Sequence, residues 1–526
     1  MRKYLRNKTF QIYVILLFAF AIRLFLIFQP FENVINLIKD DAGYYLNIVK
    51  NFAHLGLFSF DGIEITNGFH LLYFFILFIS YSLTQELLRT SLVILSIFNI
   101  LTGYILYILL KYLKVNEKIA IFALFFYLFN PMSIFIAFNG VEAQIMVFFI
   151  SLSLLFLAKY LKEKKDFYLF ILGIFAGFAF LSRTDSIFFI FSLLFYILII
   201  KREIITSIKF IGSVSPFLFF YIAFQYLFFG RIFQDSFKAI FFASHMEKLI
   251  PVEDMVRVSI TFLFKVLEHG FSSMFLAIFF IFFCLKHKFD YKVLLLSIIL
   301  SFSFLLKLFG FFEIYAIIIL LTIFSFFIVF IKINKKIIGL LKDPINFIIF
   351  LYCLALFIFY SFYLIHLQEW YFAIFVFLIS FIVFRIIPSK IFEKNSIKIL
   401  LGISIIFSFK FVTLYYLAQN DCEISLYEAG IWIKHHTSTK EIIGAFDSGI
   451  IGFVSNRTVI NLDGVVNPSV LLYLENEDLF SYIKKRNITI VIDTRGYFSK
   501  ENECLQEIKK VKQNNCKPIV IYKVAC

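Results

Sequence analysis

The chain has 526 residues, of which 61% are hydrophobic and only 16% are charged, and its mean hydropathy is +0.90. This composition, with 79 phenylalanines, excludes a water-soluble globular protein, because too few polar side chains remain to cover a folded surface. Apolar runs of about 20 residues, the length that a helix needs to cross a bilayer, recur between residues 9 and 418. The sequence therefore predicts an α-helical polytopic membrane protein.

The net charge of +15 would also suit a nucleic-acid-binding protein, but the basic residues are confined to short links between apolar runs. Such clusters are typical of cytoplasmic loops of membrane proteins. We therefore expect membrane lipids, and no nucleic acid, to be partners of this chain. The clusters are Arg2 to Lys8, Lys111 to Lys118, Lys159 to Lys165, Lys201 and Arg202, Lys286 to Lys292, Lys332 to Lys342, and Arg385 to Lys398.

If every basic cluster lies inside, the chain has about thirteen spans, each of about 20 residues. The N-terminus is then cytoplasmic, and the protein is a multi-pass protein of the plasma (inner) membrane. Residues 1–418 form the transmembrane domain, and residues 419–526 form a domain outside the membrane. The expected external links are 30–89, 138–142, 183–185, 230–258, 310–313 and 366–369.

Two apolar segments need separate treatment. Residues 69–83 are apolar enough to cross, but counting them as a span would invert every later loop, so we expect an interfacial or re-entrant helix; a short true span is the alternative. Thr9 to Gln29 predicts a retained first span, because it is long for a signal peptide and lacks a cleavage pattern. Arg23, in the outer part of this span, is expected to reach the outer interface, where it could meet a phosphate.

The last hundred or so residues alternate short apolar runs with polar segments. A helical stretch from Leu426 to His435 precedes the runs EIIGAF, TVINL, ITIVID and PIVIYKV, which predicts a small α/β domain. An oxidising exterior would permit disulfide bonds there, and four cysteines leave three pairings open. The cysteines are Cys422, Cys504, Cys516 and Cys526.

Two adjacent carboxylates, Asp40 and Asp41, lie just beyond the first span, before a short amphipathic stretch. A structural interpretation is a helix cap plus a solvated acid. The functional interpretation, the edge of an active site, gains weight because the predicted topology brings other polar groups to the same side of the membrane. These are Thr66, Asn67, His70, Asn139, Glu142, Arg183, Asp185, His366, Gln368, Glu369 and Trp370.

Each of these groups also has a structural alternative. Arg183 and Asp185 could form a structural ion pair, Glu142 could cap a helix, and His366 could be an interfacial histidine with its hydrogen bonds made.

A transporter or flippase is a competing class of function, but it would place charges at the bilayer midplane, where Lys265 and Lys307 are the clearest examples. A non-catalytic scaffold of cell-envelope glycan synthesis also stays open.

Five elements in order resemble the GT-C superfamily of membrane glycosyltransferases, which includes protein O-mannosyltransferases and lipid A aminoarabinose transferases. They read DDAGYYLNIVKN, TNGFHLLY, NGVEA, LSRTD and, from Ala445 to Asn467, AFDSGIIGFVSNRTVINLDGVVN. Two positions depart from the pattern: Gly43 replaces a common bulky aromatic, and Leu71 replaces the proline that often follows the histidine. The resemblance spans nearly the whole chain and implies a GT-C-like fold for residues 1–418.

The resemblance implies inverting transfer of a sugar from a polyprenyl-phosphate donor to a protein, lipid or polysaccharide acceptor on the outer face. Asp40 matches the position of the general base, and Asp41 would orient the acceptor or tune Asp40. Arg183, Arg231 and Lys238 are candidates for holding the donor phosphate. The remaining expected substrate-binding residues are Tyr44, Asn67, His70, Glu142, Asp185, His366 and Glu369.

A divalent metal is conceivable near Asp40, Asp41 and Glu142, because magnesium and manganese prefer oxygen ligands. We expect no obligatory metal or other cofactor, and so assign no metal ligand. The C-terminal element with Asp447, Asp463 and Asn467 either shapes acceptor access or serves only as turn architecture, since its glycines, aspartates and asparagines suit turns.

Overall fold

The computed structural model describes residues 8–35, 37–245, 258–259, 261–262, 342–363, 367–386, 421–498, 503–511 and 517–525. Several expectations fall outside these ranges. They concern His366, Lys265, Lys307, Cys516, Cys526, the link 310–313 and the basic residues at 286–292 and 332–336.

The membrane part is built of helices that we number in chain order. They are α1 (Lys8–Ile27), α2 (Phe31–Ile35), α3 (Asp40–Leu55), α4 (Leu71–Thr84), α5 (Leu88–Tyr112), α6 (Glu117–Phe129), α7 (Pro131–Phe138), α8 (Ala143–Glu163), α9 (Asp166–Ser182), α10 (Ile187–Phe195), α11 (Ile204–Phe229), α12 (Asp235–His245), α13 (Pro344–Tyr363) and α14 (Ala373–Ile386). Short 3₁₀ turns at Thr184–Ser186 and Glu369–Phe372 precede α10 and α14, and a π-helical turn, Tyr196–Ile200, follows α10.

Within the described residues, six helical segments are long and apolar enough to cross a membrane. A seventh is possible if α6 and α7, which meet at 51°, form one broken span. The break has a local cause, because Pro131 opens α7 and the Asn130 side chain accepts a hydrogen bond from the Met132 amide at 2.9 Å. The predicted count of about thirteen spans extends over residues that the structure does not describe, and it stays a prediction.

The apolar segment expected to be interfacial forms α4, whose 14 residues extend about 21 Å at 1.5 Å per residue. That length is short of the ~30 Å hydrocarbon core. Helix α4 follows α3, which carries Asp40 and Asp41 in its first turn and ends at Gly56 in the left-handed conformation (φ 70°).

The charged residues separate into two ends of the helix bundle. At one end, Lys111 pairs with Glu117 at 3.1 Å and Lys209 pairs with Asp166 at 2.5 Å. Helix α8 begins at the other end, next to Glu142, and the C-terminal domain lies at that end too, because its α16 (Gly449–Ser455) packs on α3. Within the described residues, the predicted basic links and the predicted polar links therefore lie at opposite ends of the bundle.

The prediction for Arg23 was wrong. Its side chain is fully buried between helices and donates hydrogen bonds to Asn99 Oδ1 at 2.6 Å and to the carbonyl of Leu128 at 2.8 Å. Leu128 lies in the last turn of α6, where carbonyls lack partners within the helix. Arg23 thus satisfies the end of a broken helix instead of reaching the interface.

The C-terminal part is an α/β domain, as predicted. Its helices are α15 (Asp421–His436), α16, α17 (Leu471–Glu475) and α18 (Leu479–Lys485), and its strands are β1 (Ile442–Ala445), β2 (Thr458–Asn461), β3 (Ile488–Asp493), β4 (Leu505–Val511) and β5 (Ile519–Val524). The sheet order is β2-β1-β3-β5-β4, with β1 parallel to β2 and β3, and β5 antiparallel to β3 and β4. Cys422 and Cys504 are both disulfide-bonded.

The C-terminal domain is docked on the first loop and on α12. Asn467 donates to Asp61 Oδ2 at 2.8 Å, and Arg486 pairs with Glu64 at 2.5 Å. Ala239 of α12 belongs to the same buried cluster as the domain's own Ile460. The domain core therefore includes residues that lie before the boundary predicted at residue 419.

Candidate active site

A cavity of about 350 Å³ lies between the ends of the membrane helices and the C-terminal domain. Both parts of the chain supply its walls, so neither part alone forms it. The lining residues are Lys39, Asp40, Asp41, Gln368, Trp370, Cys422, Glu423, Ser425, Leu426, Asp447, Thr494, Lys517 and Ile519. The acidic pair of the first link and Asp447 of the C-terminal element both line this cavity, so it is the candidate active site.

Asp40 is bound to the C-terminal domain. Its carboxylate accepts hydrogen bonds from the backbone amides of Gly449 at 3.1 Å and Ile450 at 2.8 Å, which open α16. Free amides at a helix N-terminus attract a carboxylate. Burial and the carboxylates of Asp447 and Asp41 raise the pKa of Asp40 well above its ordinary value, while the two amide hydrogen bonds act in the opposite direction. Both carboxylate oxygens of Asp40 are therefore engaged in holding the C-terminal domain.

Asp41 has no hydrogen-bond partner in the part of the chain that the structure describes, and it lines the cavity. Burial raises its pKa from 3.8 to about 7, with further contributions from the carboxylates of Glu142, Asp463 and Asp447, whereas the guanidinium of Arg183 lowers it. A carboxylate that titrates near neutral pH can take and release a proton under physiological conditions.

Arg183 is held in one orientation by two carboxylates. Its Nη1 donates to Glu142 Oε1 at 2.6 Å, and its Nη2 donates to Asp185 Oδ2 at 2.7 Å. The hydroxyl of Tyr360 also donates to Asp185, and the guanidinium lies 5.3 Å from the centre of the Tyr371 ring. This buried cation is held in a fixed orientation within electrostatic range of Asp41, and a fixed cation of this kind can stabilise a developing anion.

His70 and Glu142, which are 72 residues apart in sequence, meet through Tyr45. The Tyr45 hydroxyl donates to Glu142 Oε2 at 2.8 Å and accepts from the His70 backbone amide at 3.1 Å. His70 Nε2 lies 3.6 Å from Glu142 Oε1. Burial lowers the pKa of His70, although Glu142 acts against this shift, so the neutral imidazole is favoured. The structure thus brings Asp41, His70, Glu142, Arg183 and Asp185 together.

Other predicted site residues have structural partners. The Tyr44 hydroxyl accepts a hydrogen bond from Asn461 Nδ2 at 3.3 Å. Asn67 donates through Nδ2 to Gln225 at 2.8 Å and accepts the Asp235 amide at 2.8 Å, so it ties the first loop to α11 and α12. Glu369 opens the turn that places Trp370 in the cavity wall.

Arg231 and Lys238 do not join this cavity. They line a second one, of about 680 Å³, that shares no lining residue with the first. Arg231 pairs with Asp235 at 2.6 Å, one helical turn away. The sequence assigned both cations to the donor phosphate because their link lies on the same predicted side of the membrane, but a shared side does not specify a shared cavity.

Sequence reasoning missed residues that the fold adds to the site. The C-terminal Arg495 pairs with Asp447 at 2.7 Å and with Asp463 at 3.1 Å. Burial acts to raise the pKa of Asp447, but the guanidinium of Arg495 has the opposite effect, and the pKa lies below its ordinary value. Lys39 forms a buried ion pair with Glu423 at 2.8 Å. In the sequence, these residues are recognisable only as charges, some of them beside the recognised motifs. A charge beside a motif does not show which residue it pairs with.

Within the described ranges, no group of three or more His, Cys, Asp or Glu side chains could hold a metal ion. Glu142 was considered as a metal ligand together with Asp40 and Asp41. Its carboxylate already accepts hydrogen bonds from Arg183 and Tyr45. The residues present suit acid–base chemistry beside a fixed cation.

Two parts of the chain match known sequence families. Residues 70–246 match the sequence profile of the family described as dolichyl-phosphate-mannose-protein mannosyltransferase, and residues 415–522 match a domain of unknown function (DUF8728). A search of curated protein sequences finds no significant match.

Solved structures of similar fold cover nearly the whole chain. ArnT from Cupriavidus metallidurans bound to undecaprenyl phosphate aligns with a TM-score of 0.56 at 9% identity, over 96% of this chain and 97% of that one. The same protein in the apo state aligns with a TM-score of 0.52 at 10% identity, over 91% and 92% of the two chains.

Proposed function

We propose that this chain is a membrane glycosyltransferase of the GT-C superfamily, and that it transfers a sugar from a polyprenyl-phosphate donor to an acceptor on the outer face of the membrane. The observation that carries this proposal is the position of Asp41, whose carboxylate has no hydrogen-bond partner among the described residues and lies within electrostatic range of the fixed guanidinium of Arg183. Together they supply a base and a cation, the two groups that displacement of a lipid phosphate needs.

The lipid carrier is supported by the fold. ArnT, which covers almost the same length, was solved with undecaprenyl phosphate bound. The mannosyltransferase profile names a related carrier, dolichyl phosphate. A phosphate of this kind is a good leaving group, so the enzyme has only to accept the acceptor's proton and to stabilise the negative charge that develops on the phosphate.

In the proposed reaction, Asp41 takes the proton from an acceptor hydroxyl or amine. The acceptor atom attacks the anomeric carbon from the face opposite the phosphate, so the configuration inverts. The bond between the anomeric carbon and the phosphate oxygen breaks, and polyprenyl phosphate leaves with the electron pair. Arg183 would bind the phosphate through the side of its guanidinium that Glu142 and Asp185 leave open.

This assignment differs from the roles that the sequence suggested for the two aspartates. Asp40 was expected to be the base, but its oxygens accept hydrogen bonds from Gly449 and Ile450. We assign Asp40 to positioning, since it fixes the C-terminal domain as the second wall of the cavity. Asp41 becomes the base, because its carboxylate is not committed to another group in the described chain.

The orientation in the membrane is part of the proposal. Basic clusters lie at the end of the bundle opposite the cavity, and such clusters stay in the cytoplasm. The cavity and the C-terminal domain would then face outward in the plasma (inner) membrane. The acceptor is a protein, a lipid or a polysaccharide, and no metal or other cofactor is obligatory in this mechanism.

The decisive experiment is turnover of radiolabelled polyprenyl-phosphate sugars by the purified protein in lipid nanodiscs, with a cell extract as the source of acceptors. We expect Asp41→Asn to lower transfer by about 10²–10⁴-fold, the range for loss of a general base. Asp40→Asn should lower it less and should also lower thermal stability. Asp166→Asn, exposed at the opposite end, is the control.

Other outcomes would reject parts of the proposal. If Asp40→Asn abolished transfer while Asp41→Asn did not, Asp40 would be the base. If neither substitution affected transfer, the catalytic group would lie elsewhere. If no protein transferred any sugar, a transporter or a non-catalytic scaffold would explain the chain better.

A further inference from the structure

Gln234, the residue just before α12, contacts the segment that carries His70. Its side-chain amide nitrogen donates to the carbonyl of Phe69 at 2.8 Å and also approaches His70 Nδ1 at 3.4 Å. Gln234 is buried. Neither the sequence motifs nor the proposed reaction gives this glutamine a role.

The start of α12 also holds the backbone of that segment. Asp235 and Asn67 are joined reciprocally, because the Asp235 amide donates to Asn67 Oδ1 at 2.8 Å and the Asn67 amide donates to Asp235 Oδ2 at 3.1 Å. Asp235 is fully buried, and Arg231 Nη2 compensates its charge at 2.6 Å. Residues 67–70, and with them the ring of His70, are therefore fixed against α12.

The contacts of Gln234 determine which ring nitrogen of His70 carries the proton. A carbonyl oxygen only accepts hydrogen bonds, so the carbonyl of Phe69 requires the NH₂ group of the Gln234 amide on this side. An NH₂ group only donates, so His70 Nδ1 is the acceptor and carries no proton. Burial lowers the pKa of His70 and favours the neutral ring, so its single proton lies on Nε2.

The protonated nitrogen of His70 faces the carboxylate that holds Arg183. His70 Nε2 lies 3.6 Å from Glu142 Oε1, the oxygen that accepts from Arg183 Nη1 at 2.6 Å. An N–H directed at this oxygen attracts it, whereas the lone pair of the other tautomer would repel it. Tyr45 donates to the second oxygen of Glu142, so the carboxylate is fixed from three directions.

We propose that Gln234 and His70 are positioning residues of the active site. Gln234 selects the Nε2–H tautomer of His70. That N–H holds the carboxylate of Glu142, which in turn orients Arg183. The consequence for catalysis rests on the proposed function, in which Arg183 binds the donor phosphate. His70, expected from the sequence to bind substrate, acts instead through Glu142.

The tautomer can be measured without turnover. The full chain would be labelled with ¹⁵N-histidine and placed in lipid nanodiscs at mildly alkaline pH, where the ring is neutral. His70 is identified among the 8 histidines by the signals that the His70→Gln variant lacks. We expect an unprotonated Nδ1 and a protonated Nε2 in the wild type, and a mixture of both tautomers in Gln234→Met. A protonated Nδ1 in the wild type would overturn the inference.

Transfer kinetics test the consequence for the active site. Gln234→Met removes the donor while preserving side-chain length, so kcat should fall about tenfold, the effect of losing one such hydrogen bond. His70→Gln retains an N–H donor for Glu142 and should transfer faster than His70→Leu. Gln29→Met is the matched control, because Gln29 donates to the Phe25 carbonyl at 3.0 Å in a contact that involves no histidine.

The two measurements separate this inference from the proposed reaction. If no protein transfers sugar but Gln234→Met loses the Nε2–H tautomer of the wild type, the arrangement stands and the reaction is rejected. If the wild type transfers sugar and both Gln234→Met and His70→Leu are equally fast, the positioning role is rejected and the reaction stands. If Gln234→Met loses activity and thermal stability while the tautomer is unchanged, its role is only structural and the inference is rejected.

Discussion

Gly43 and Gly449 bring two helices into backbone contact. A Cβ atom on Gly43 would lie 2.1 Å from the carbonyl carbon of Gly449, and one on Gly449 would lie 2.0 Å from the carbonyl oxygen of Asp40. This contact seats the first turn of α3 against the start of α16, where Asp40 accepts the two free amides. It also explains the departure at Gly43, since an aromatic side chain has no room there.

Gly43→Ala should therefore undock the C-terminal domain or strain the contact, at a cost of about 1–3 kcal/mol in the free energy of unfolding. Transfer activity should fall with it, because the domain forms half of the cavity. Thermal unfolding in nanodiscs and limited proteolysis of the C-terminal domain would measure the effect. Gly212→Ala is the control, because a Cβ there contacts nothing within 4 Å and alanine favours a helix. Equal stability of the two variants would contradict the account.

The rate of transfer should depend on pH through Asp41. The base works only when deprotonated, and its pKa is raised from 3.8 to about 7, so the rate should fall about tenfold per pH unit below pH 7. An ordinary aspartate would remain ionised down to about pH 4. The measurement is the pH profile of kcat/KM, which reports the pKa values of the free enzyme, and a flat profile between pH 5 and pH 8 would refute the assignment.

Asp463→Asn should move the rising limb of that profile toward lower pH. The carboxylate of Asp463 is one of the charges that raise the pKa of Asp41, and the substitution removes this charge while preserving size. The comparison requires the same pH series on both proteins. Asp166→Asn, whose carboxylate lies at the other end of the bundle, should leave the limb in place.

Arg183→Lys should lower kcat by about 10²-fold, the usual cost of removing a donor to a developing anion. A lysine cannot pair with Glu142 and Asp185 at once and still present a planar face to the phosphate. Steady-state kinetics would measure the change. Arg385→Lys is the control, because Arg385 also makes two hydrogen bonds to one carboxylate, that of Asp343, but far from the cavity. Similar losses in both variants would indicate a purely structural role for Arg183.

Transfer should survive treatment with EDTA. The oxygens of Glu142 and Asp185 are already bound by Arg183, so the cation that the mechanism requires is part of the protein and these carboxylates are not open to a metal ion. The assay is turnover after chelation, with and without added magnesium or manganese. Loss of activity on chelation that magnesium restores would overturn this expectation.

The sequence predicted the elements that depend on local pattern. The C-terminal strands β1, β2, β3 and β5 lie within the four predicted apolar runs, because buried strands need such runs. Strand β4 was missed, since Leu505–Val511 is charged and mostly exposed, and it is a strand only because β5 pairs with it. The prediction for Arg23 failed for a similar reason, as its partner carbonyl lies 105 residues away.

By itself, the sequence determined that this chain is a helical membrane protein with an acidic pair just after its first span, because hydropathy and charge are properties of short segments. Only the tertiary structure decided which aspartate of that pair is free. Asp40 meets amides 409 and 410 residues further along the chain, and Asp41 does not. The same long-range packing placed Arg183 within electrostatic range of Asp41 and placed Arg231 and Lys238 in the wall of another cavity. Side chains with no local signal are positioned by the contacts of the whole fold.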